Sequence, residues 1–486
     1  MKKFAKFLAL ALTLAVIASA FALVASAEAA PEIVDPRTLT PGSERVIFIK
    51  DAPRDENNQV VGELTGDGTG SDAENPLKPT DSHERFDPTA ERKRWHVLTA
   101  FYQAVEMLQD TGGTIVICGP VFIGINEVGD NGATSVRDLE TVRFKDKVIK
   151  FTSVYNGVDY RKEAGAKITL ELPAMLNILG SSIWENVDFY TDGTDRAVCF
   201  GDYPTLVGQG INCYPTDEAF EGVSQNYISL SAGHRYGTSK GKTLSLVVQS
   251  GTYNKITGSS WGTVATNAQE NCNVNLTIEG TTKVLGVISG TVNSKSPFGG
   301  HVNITINDGT FECDINGVGP TGMTNTDGTV KMTINGGNFK NGWSINQAAM
   351  GATNNMPASC SVDFSGWKGE KLDLAYAFGL ITDITEVKLP EGVTADELNK
   401  LLLENPVVEE TEAPETNAPE TKAPETQKQE EATKAPETNA PETKAPVVEN
   451  EGEEKGGNMT LIIIIVVAVV VIAGVVVGIV LGKKKK

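Results

Sequence analysis

The chain of 486 residues has no Asp-Asp pair, no CxxC pair and no arginine beyond Arg235. Each absence removes a class of chemistry. Without CxxC pairs, a zinc ribbon or a thioredoxin-type dithiol is excluded. The six cysteines stand singly at 118, 199, 213, 272, 313 and 360. Cys118 in TIVICGPV and Cys199 in AVCFG lie in apolar surroundings that suit buried free thiols. The four histidines are too dispersed for a metal cluster. No GxxxxGK[ST] occurs, which excludes a P-loop. Lys and Arg total 42 against 62 Asp and Glu, a net charge of −20. Such a field repels nucleic acid, so no nucleic-acid partner is expected.

The two ends carry the clearest signals. Lys2, Lys3 and Lys6 precede an apolar stretch from Phe7 to Val24 and then Ala25-Ser26-Ala27. That order is a secretory signal peptide, expected over 1–27. At the other end, Leu461 to Leu481 is uncharged and is followed by Lys483 to Lys486. At ~1.5 Å rise per residue this run crosses a hydrocarbon core of ~30 Å. Trailing lysines stay on the cytoplasmic side. The expectation is a single transmembrane helix over 459–482, a cytoplasmic tail over 483–486, and an extracellular ectodomain held at the cell membrane. No LPxTG precedes the span, so the helix itself is the expected attachment. Gly474 and Gly478 form a GxxxG, a motif through which spans pair. Residues 406–458 repeat APET and hold 14 glutamates against five lysines. They lack apolar periodicity and read as an extended, proline-stiffened linker.

Between the ends lies a region long enough for a large core. Residues 28–94 read as an N-terminal lead and cap, with a strand at RVIFIK (45–50) and a Gly/Asp turn at Gly66 to Gly70. In WHVLTAFYQAVEMLQ (95–109) apolar residues recur at three and four, the period of an amphipathic helix. Gly112-Gly113 ends it and TIVIC follows as a buried strand. From there to Phe364 the pattern is short strands and Gly/Asn/Asp turns. Four units repeat: LVVQSGTY from Leu246, LTIEGTTK from Leu276, ITINDGTF from Ile304 and MTINGGNF from Met332. Their starts are 30, 28 and 28 residues apart. Tyr253, Phe311 and Phe339 hold equivalent places; the second unit has Lys283 there.

A constant period means stacked supersecondary units, each completing its neighbour's core. Strand units without helices stack as a coiled parallel sheet, so 95–365 is expected to be an all-β parallel β-helix. Asn at its turns tolerates left-handed backbone and ladders onto the next coil. The repeated aromatics are expected to fill the interior as a stack. Residues 366–405 read as a small C-terminal α/β cap over the open strand edges. It comprises two strand-like runs, LDLAYAFGLI and ITEVKL, and a helix from Thr394 to Leu403. Thr394 and Glu397 have the spacing of a capping box.

The lead-in VIFIKDAP…GDGTG…NPLK, the helix, and GGTIVICGPV resemble the N-terminal cap of the pectin-lyase-like right-handed β-helix superfamily. NILGSSIWENVDFY resembles its coil signature. The likeness runs from about Val46 to Phe364 and implies a right-handed coil. The anchored, APET-linked layout resembles membrane-anchored surface proteins of Gram-positive bacteria. The superfamily holds lyases, glycosidases, esterases, tailspikes and adhesins, so fold membership assigns no reaction.

Two enzyme patterns of that superfamily are met only in part. A polygalacturonase-like site carries NTDG, a paired Asp-Asp, GHG and RIK. Here Asn325 to Gly328 reads NTDG, yet the rest is missing, and GHR at Gly233 and GHV at Gly300 precede it. NTDG is also ordinary turn chemistry between two repeat strands. A pectate-lyase-like reaction needs Ca²⁺ on carboxylates and an arginine base. Asp188, Asp192, Asp195 and Arg196 in NVDFYTDGTDR are the right types, and Ca²⁺ is the one cofactor they suggest. The same residues also make an ordinary solvated loop. A repeat region without arginine lacks the forks that usually hold anionic polymers. Trp184, Trp261, Trp343 and Trp367 lie in or near the coils. Trp261 in TGSSWGT and Trp343 in KNGWSI are the candidate sugar-stacking residues. The expected function is contact with extracellular polysaccharide or another cell-surface ligand, as a binder or adhesin. A polysaccharide lyase or glycoside hydrolase is the rival reading, and an inert spacer is a third.

Overall fold

A strand whose side chains alternate between two faces buries every second residue. Asn273–Ile278 does so at Val274, Leu276 and Ile278, and Val302–Ile306 at Val302, Ile304 and Ile306. The computed structural model describes residues 34–406, apart from 54–60, 79–99, 124–125, 129–133, 137–139, 145–146, 171–174, 192–195, 216–222, 235–238, 261–271, 292–298, 320–327, 341–342, 350–355 and 380. The expected signal peptide, span and tail, and all but the first residue of the expected linker, therefore lie outside the described residues. Among those that are described, no helix is long and apolar enough to cross a membrane.

The described chain is mostly β, in long parallel sheets with few helices, an arrangement consistent with a parallel β-helix. One sheet holds eleven strands, from Val46–Ile49 to Glu386–Lys388. A second also has eleven, between Glu140–Arg143 and Ile381–Thr382. A third has four: Pro120–Ile123, Lys167–Leu170, Asp188–Thr191 and Asn212–Pro215. From Lys167 to Val248 the chain visits the third, second and first sheets in rotation, adding one parallel strand at each visit. Among the described residues the third sheet has no strand after Asn212–Pro215, and the chain alternates between the other two.

The sequence period is the pairing register. Leu246 lies beside Leu276, Leu276 beside Ile304, Ile304 beside Met332 and Met332 beside Val362. Phe311 lies beside Phe339, with ring centroids 5.1 Å apart. Both are buried, as is Tyr253, so all three rings lie in the interior as expected, with the two phenylalanines in contact. The glycine two residues before each aromatic has a local cause. Gly309 and Gly337 have φ of 129° and 117°, and a Cβ on either would lie 2.7 Å from the Phe311 ring. In the second unit the aromatic place belongs to Val284, which pairs with Tyr253 and Phe311. The spacing puts Lys283 there, but the turn after Ile278 is one residue longer than that after Val248. Lys283 is thereby turned outward, its Nζ 2.9 Å from Glu312.

At the earlier end the core continues as a column of rings. Phe101 of the helix Ala100–Leu108 stacks on Phe151 at 5.5 Å, and Phe151 on Trp184 at 4.0 Å. Trp184 is thus a core residue. All six cysteines are buried thiols outside any disulfide. Burial pushes the thiols of Cys118, Cys213, Cys272, Cys313 and Cys360 up, Cys118 to about 11 and Cys360 to about 12. They remain protonated and unreactive at neutral pH.

Polar ladders run along the turns. Gln249 Nε2 donates to Glu279 Oε1 (2.9 Å), Asn307 Nδ2 to Glu279 Oε2 (3.0 Å) and Asn335 Nδ2 to Asn307 Oδ1 (2.9 Å). Outside the first sheet, Leu39 packs on an apolar row of Ile183, Leu206 and Val247. The same row continues as Thr277, Thr305 and Thr333. Where the row changes to threonine, Arg37 of this N-terminal segment reaches Glu279 at 3.4 Å.

At the late end the run LDLAYAFG folds as the helix Lys371–Gly379, not as a strand. Its burial falls at Leu374, Ala375 and Ala377, which join the main core, as does Leu398 of the helix Ala395–Glu404. Alternation over three residues is too short to distinguish the two periods. Thr394 caps the second helix, its hydroxyl accepting from the Glu397 amide at 3.2 Å.

Replacing a ring in the interior stack leaves a cavity that flanking rungs cannot fill. Phe311→Ala is expected to cost about 3–5 kcal/mol in denaturant unfolding. Asn307→Ala, which breaks one ladder step, is expected to cost about 1 kcal/mol. Equal losses for the two would contradict an interior held chiefly by ring packing.

Candidate functional site

In the four-stranded third sheet the alternation is equally regular. Val121, Ile168, Phe189 and Cys213 point inward and are buried. The residues between them make two outward rows. Pairing places Pro120, Lys167, Asp188 and Asn212 in one row and Phe122, Thr169, Tyr190 and Tyr214 in the other. Tyr214, on the last strand of the sheet, is 36 % exposed. Its ring centroid lies 5.2 Å from that of Tyr190, at an interplanar angle of 37°. Lys167 Nζ sits 4.6 Å from the Tyr190 centroid, a cation–π distance. Two aromatic rings therefore stand outward on the last two strands described for this sheet.

A short helix fixes the polar row. Asp159 caps Tyr160–Ala164, accepting from the Arg161 amide at 3.2 Å, and Gly165 ends it with φ 61°. One turn of helix directs the Arg161 side chain back onto its own cap. Nε donates to Asp159 Oδ1 (2.8 Å) and Nη2 to Asp159 Oδ2 (2.9 Å). Nη1 donates to the Gly210 carbonyl (2.7 Å) and lies 3.6 Å from Asp188 Oδ1. The same Asp188 oxygen accepts from Asn212 Nδ2 at 2.8 Å. The Arg161 side-chain hydrogen bond holds the Asp159 carboxyl below its ordinary range. Burial, only partly offset by Asn212 and Arg161, raises the Asp188 carboxyl above it. Tyr214 is raised too, first by burial and then by the Asp188 charge.

The residues proposed from the sequence fall in different places. Asp188 is in the polar row. Asp192 and Asp195 lie outside the described residues, as do Trp261 and Asp327. Among the described residues no group of three or more His, Cys, Asp or Glu side chains is placed to hold a metal ion. Arg196 is buried, 6 % exposed. Trp343 is half-buried and packs against the main core, and its indole nitrogen is buried. Trp367 packs on Phe339 and Phe364. The GHR histidine, His234, has Nε2 2.9 Å from Asp202 Oδ2, and Ser239 donates to the other oxygen of that carboxylate. That places the carboxylate between serine and imidazole, not the imidazole between the other two as a serine nucleophile requires. His301, of GHV, pairs with the Thr329 hydroxyl at 2.8 Å.

No family model, curated protein or solved structure matches the chain. The reading of the site therefore rests on its own geometry.

Tyr190, Tyr214, Lys167, Arg161 and Asn212 were not singled out from the sequence. A signal was present: Asp188-Phe189-Tyr190 and Asn212-Cys213-Tyr214 repeat an Asx-x-Tyr pattern on neighbouring strands. Two copies are too few to stand out without the pairing.

The two carboxylates give opposite pH signatures. Asp159 contributes stability above its unfolded value of 3.8 that is lost as pH falls through its lower folded value. Asp159→Ala is expected to cost roughly 1–2 kcal/mol at pH 7, with the difference vanishing in strong acid. The Asp188 contribution is complete below 3.8 and is lost as pH rises through its higher folded value. Asp188→Asn should therefore gain on the parent as pH rises through that window. Unfolding midpoints measured from strong acid to neutrality check both signs.

Proposed function

We propose that this protein is displayed at a cell surface and contacts extracellular glycan through the outward face of its third sheet. The observation that carries this reading is the Tyr190–Tyr214 pair beside the Lys167, Asp188 and Asn212 row. Aromatic faces pack on the apolar faces of sugar rings, while polar groups at their margin bind hydroxyls. Elsewhere on the first sheet, outward rows such as Thr277, Thr305 and Thr333 are short and polar and offer no such platform. The signal-peptide pattern, the stiff acidic linker and the uncharged run from Leu461 to Leu481 support display outside the cell on a membrane span. The parallel register and the coil signature NILGSSIWENVDFY support a right-handed coil of the pectin-lyase-like kind.

A lyase or hydrolase is the weaker reading. The candidate base, Arg196, is buried, and Arg161 has its guanidinium engaged by Asp159 and Gly210. The full chain, screened on a glycan array with and without calcium, should bind glycan without forming unsaturated product. The double variant Tyr190→Ala/Tyr214→Ala should lose affinity by about tenfold or more, ~1.4 kcal/mol. Trp261→Ala in the same screen tests the other aromatic candidate. Unsaturated product would establish the enzyme; binding untouched by the double variant would remove this face from the proposal.

A further inference from the structure

We infer that the third-sheet site takes a neutral, hydroxyl-rich glycan and discriminates against polyuronates. The inference rests on the reading of that face as a glycan contact and adds the chemical class of the ligand. A polyuronate presents a carboxylate on every sugar, and proteins hold such groups best with a planar, two-pronged guanidinium. The guanidinium at this site is already committed. Three of its donor directions end on both oxygens of Asp159 and on the Gly210 carbonyl. Lys162 is drawn to the same carboxylate, Nζ 3.7 Å from Asp159 Oδ2. That leaves Lys167, a point charge set over the Tyr190 ring.

The groups beside the tyrosine pair that can meet a sugar hydroxyl include two acceptors. Asp188 takes both of its described contacts on Oδ1, so among the described residues Oδ2 is left to accept. Asn212 gives one amide hydrogen to Asp188, and among the described residues its carbonyl oxygen is left to accept as well. These acceptors flank the tyrosine pair, and Tyr214 keeps its ring exposed at the edge of the sheet. An uncharged sugar brings hydroxyl donors to such acceptors and a C–H face to such a ring. A uronate brings a third carboxylate to Asp159 and Asp188, in a chain whose net charge is already −20.

Calorimetric titration of the full chain tests this with uncharged gluco-, xylo- and manno-hexasaccharides against hexagalacturonate. At least one neutral ligand should bind about tenfold or more tightly than hexagalacturonate. Tyr214→Ala should lower that affinity about tenfold, and Asp188→Ala about fivefold, with the unfolding midpoint of Tyr214→Ala unchanged. Equal or tighter binding of hexagalacturonate would overturn the inference and leave glycan contact standing. Binding of neither class would overturn both. A Tyr214→Ala variant that keeps its unfolding midpoint and its full affinity would move the site elsewhere and overturn the inference.

Discussion

The interaction on which the rest depends is the in-register stacking of one rung on the next. The succession Leu246, Leu276, Ile304, Met332 and Val362 places the same inward position of each strand directly beside its neighbour. A single rung has apolar residues on one face and a strand's unpaired edges on both sides, so it has no stability alone. Rungs with neighbours on both sides share core and hydrogen bonds. This explains why the ends differ from the middle. Phe101, on the helix Ala100–Leu108, stacks on the ring column at one end. Leu374 and Leu398, on two helices, enter the core at the other. The last first-sheet strand, Glu386–Lys388, is three residues long and carries a charge at each end, which blunts its outer edge.

Stacking also decides what a sequence of this kind reveals. Rungs that recur at nearly constant length write their register into the chain, so the units from Leu246 to Phe339 and their interior rings were legible. The limit of that legibility is the turn after Ile278. One extra residue there leaves the strand period intact but moves the aromatic place from 283 to 284, and a period count alone assigns it to a lysine. Earlier rungs are less regular. Ser182 pairs with Thr205, but Thr205 pairs with Leu246, so two successive steps of one sheet span very different lengths of chain. No fixed period survives such insertions, although the strands stack just as closely.

The platform on the third sheet was hidden for a related reason. Its members come from three rungs and from a helix between strands, and they become neighbours only through pairing. Tryptophan draws attention in a sequence, yet Trp184 and Trp367 are interior or core-packed, where large rings do the most for stability. Tyrosine two residues after an Asp or Asn is a commonplace pattern until Asp188–Thr191 and Asn212–Pro215 are set side by side.

The position of that pair follows from the same rule of stacking. While a sheet continues, each outward ring lies between rings or side chains of the rungs on either side, and neither face is open. Tyr190 is in that state, with Lys167 near one neighbouring strand and Tyr214 on the other. Among the described residues no strand is paired to Asn212–Pro215 on the side away from Tyr190, although Thr252–Thr257 lies against it, while the other two sheets continue. The end of a sheet usually exposes backbone as well as side chain, a liability that invites further pairing. Here Pro215 closes the strand without an amide hydrogen, and burial of Cys213 anchors it inward. The edge is thus made unattractive to another strand while its outermost ring remains open. An exposed aromatic at a protected edge is a combination that pure stability does not require, and it is the reason this face, rather than the longer polar faces, is the one to test for a ligand.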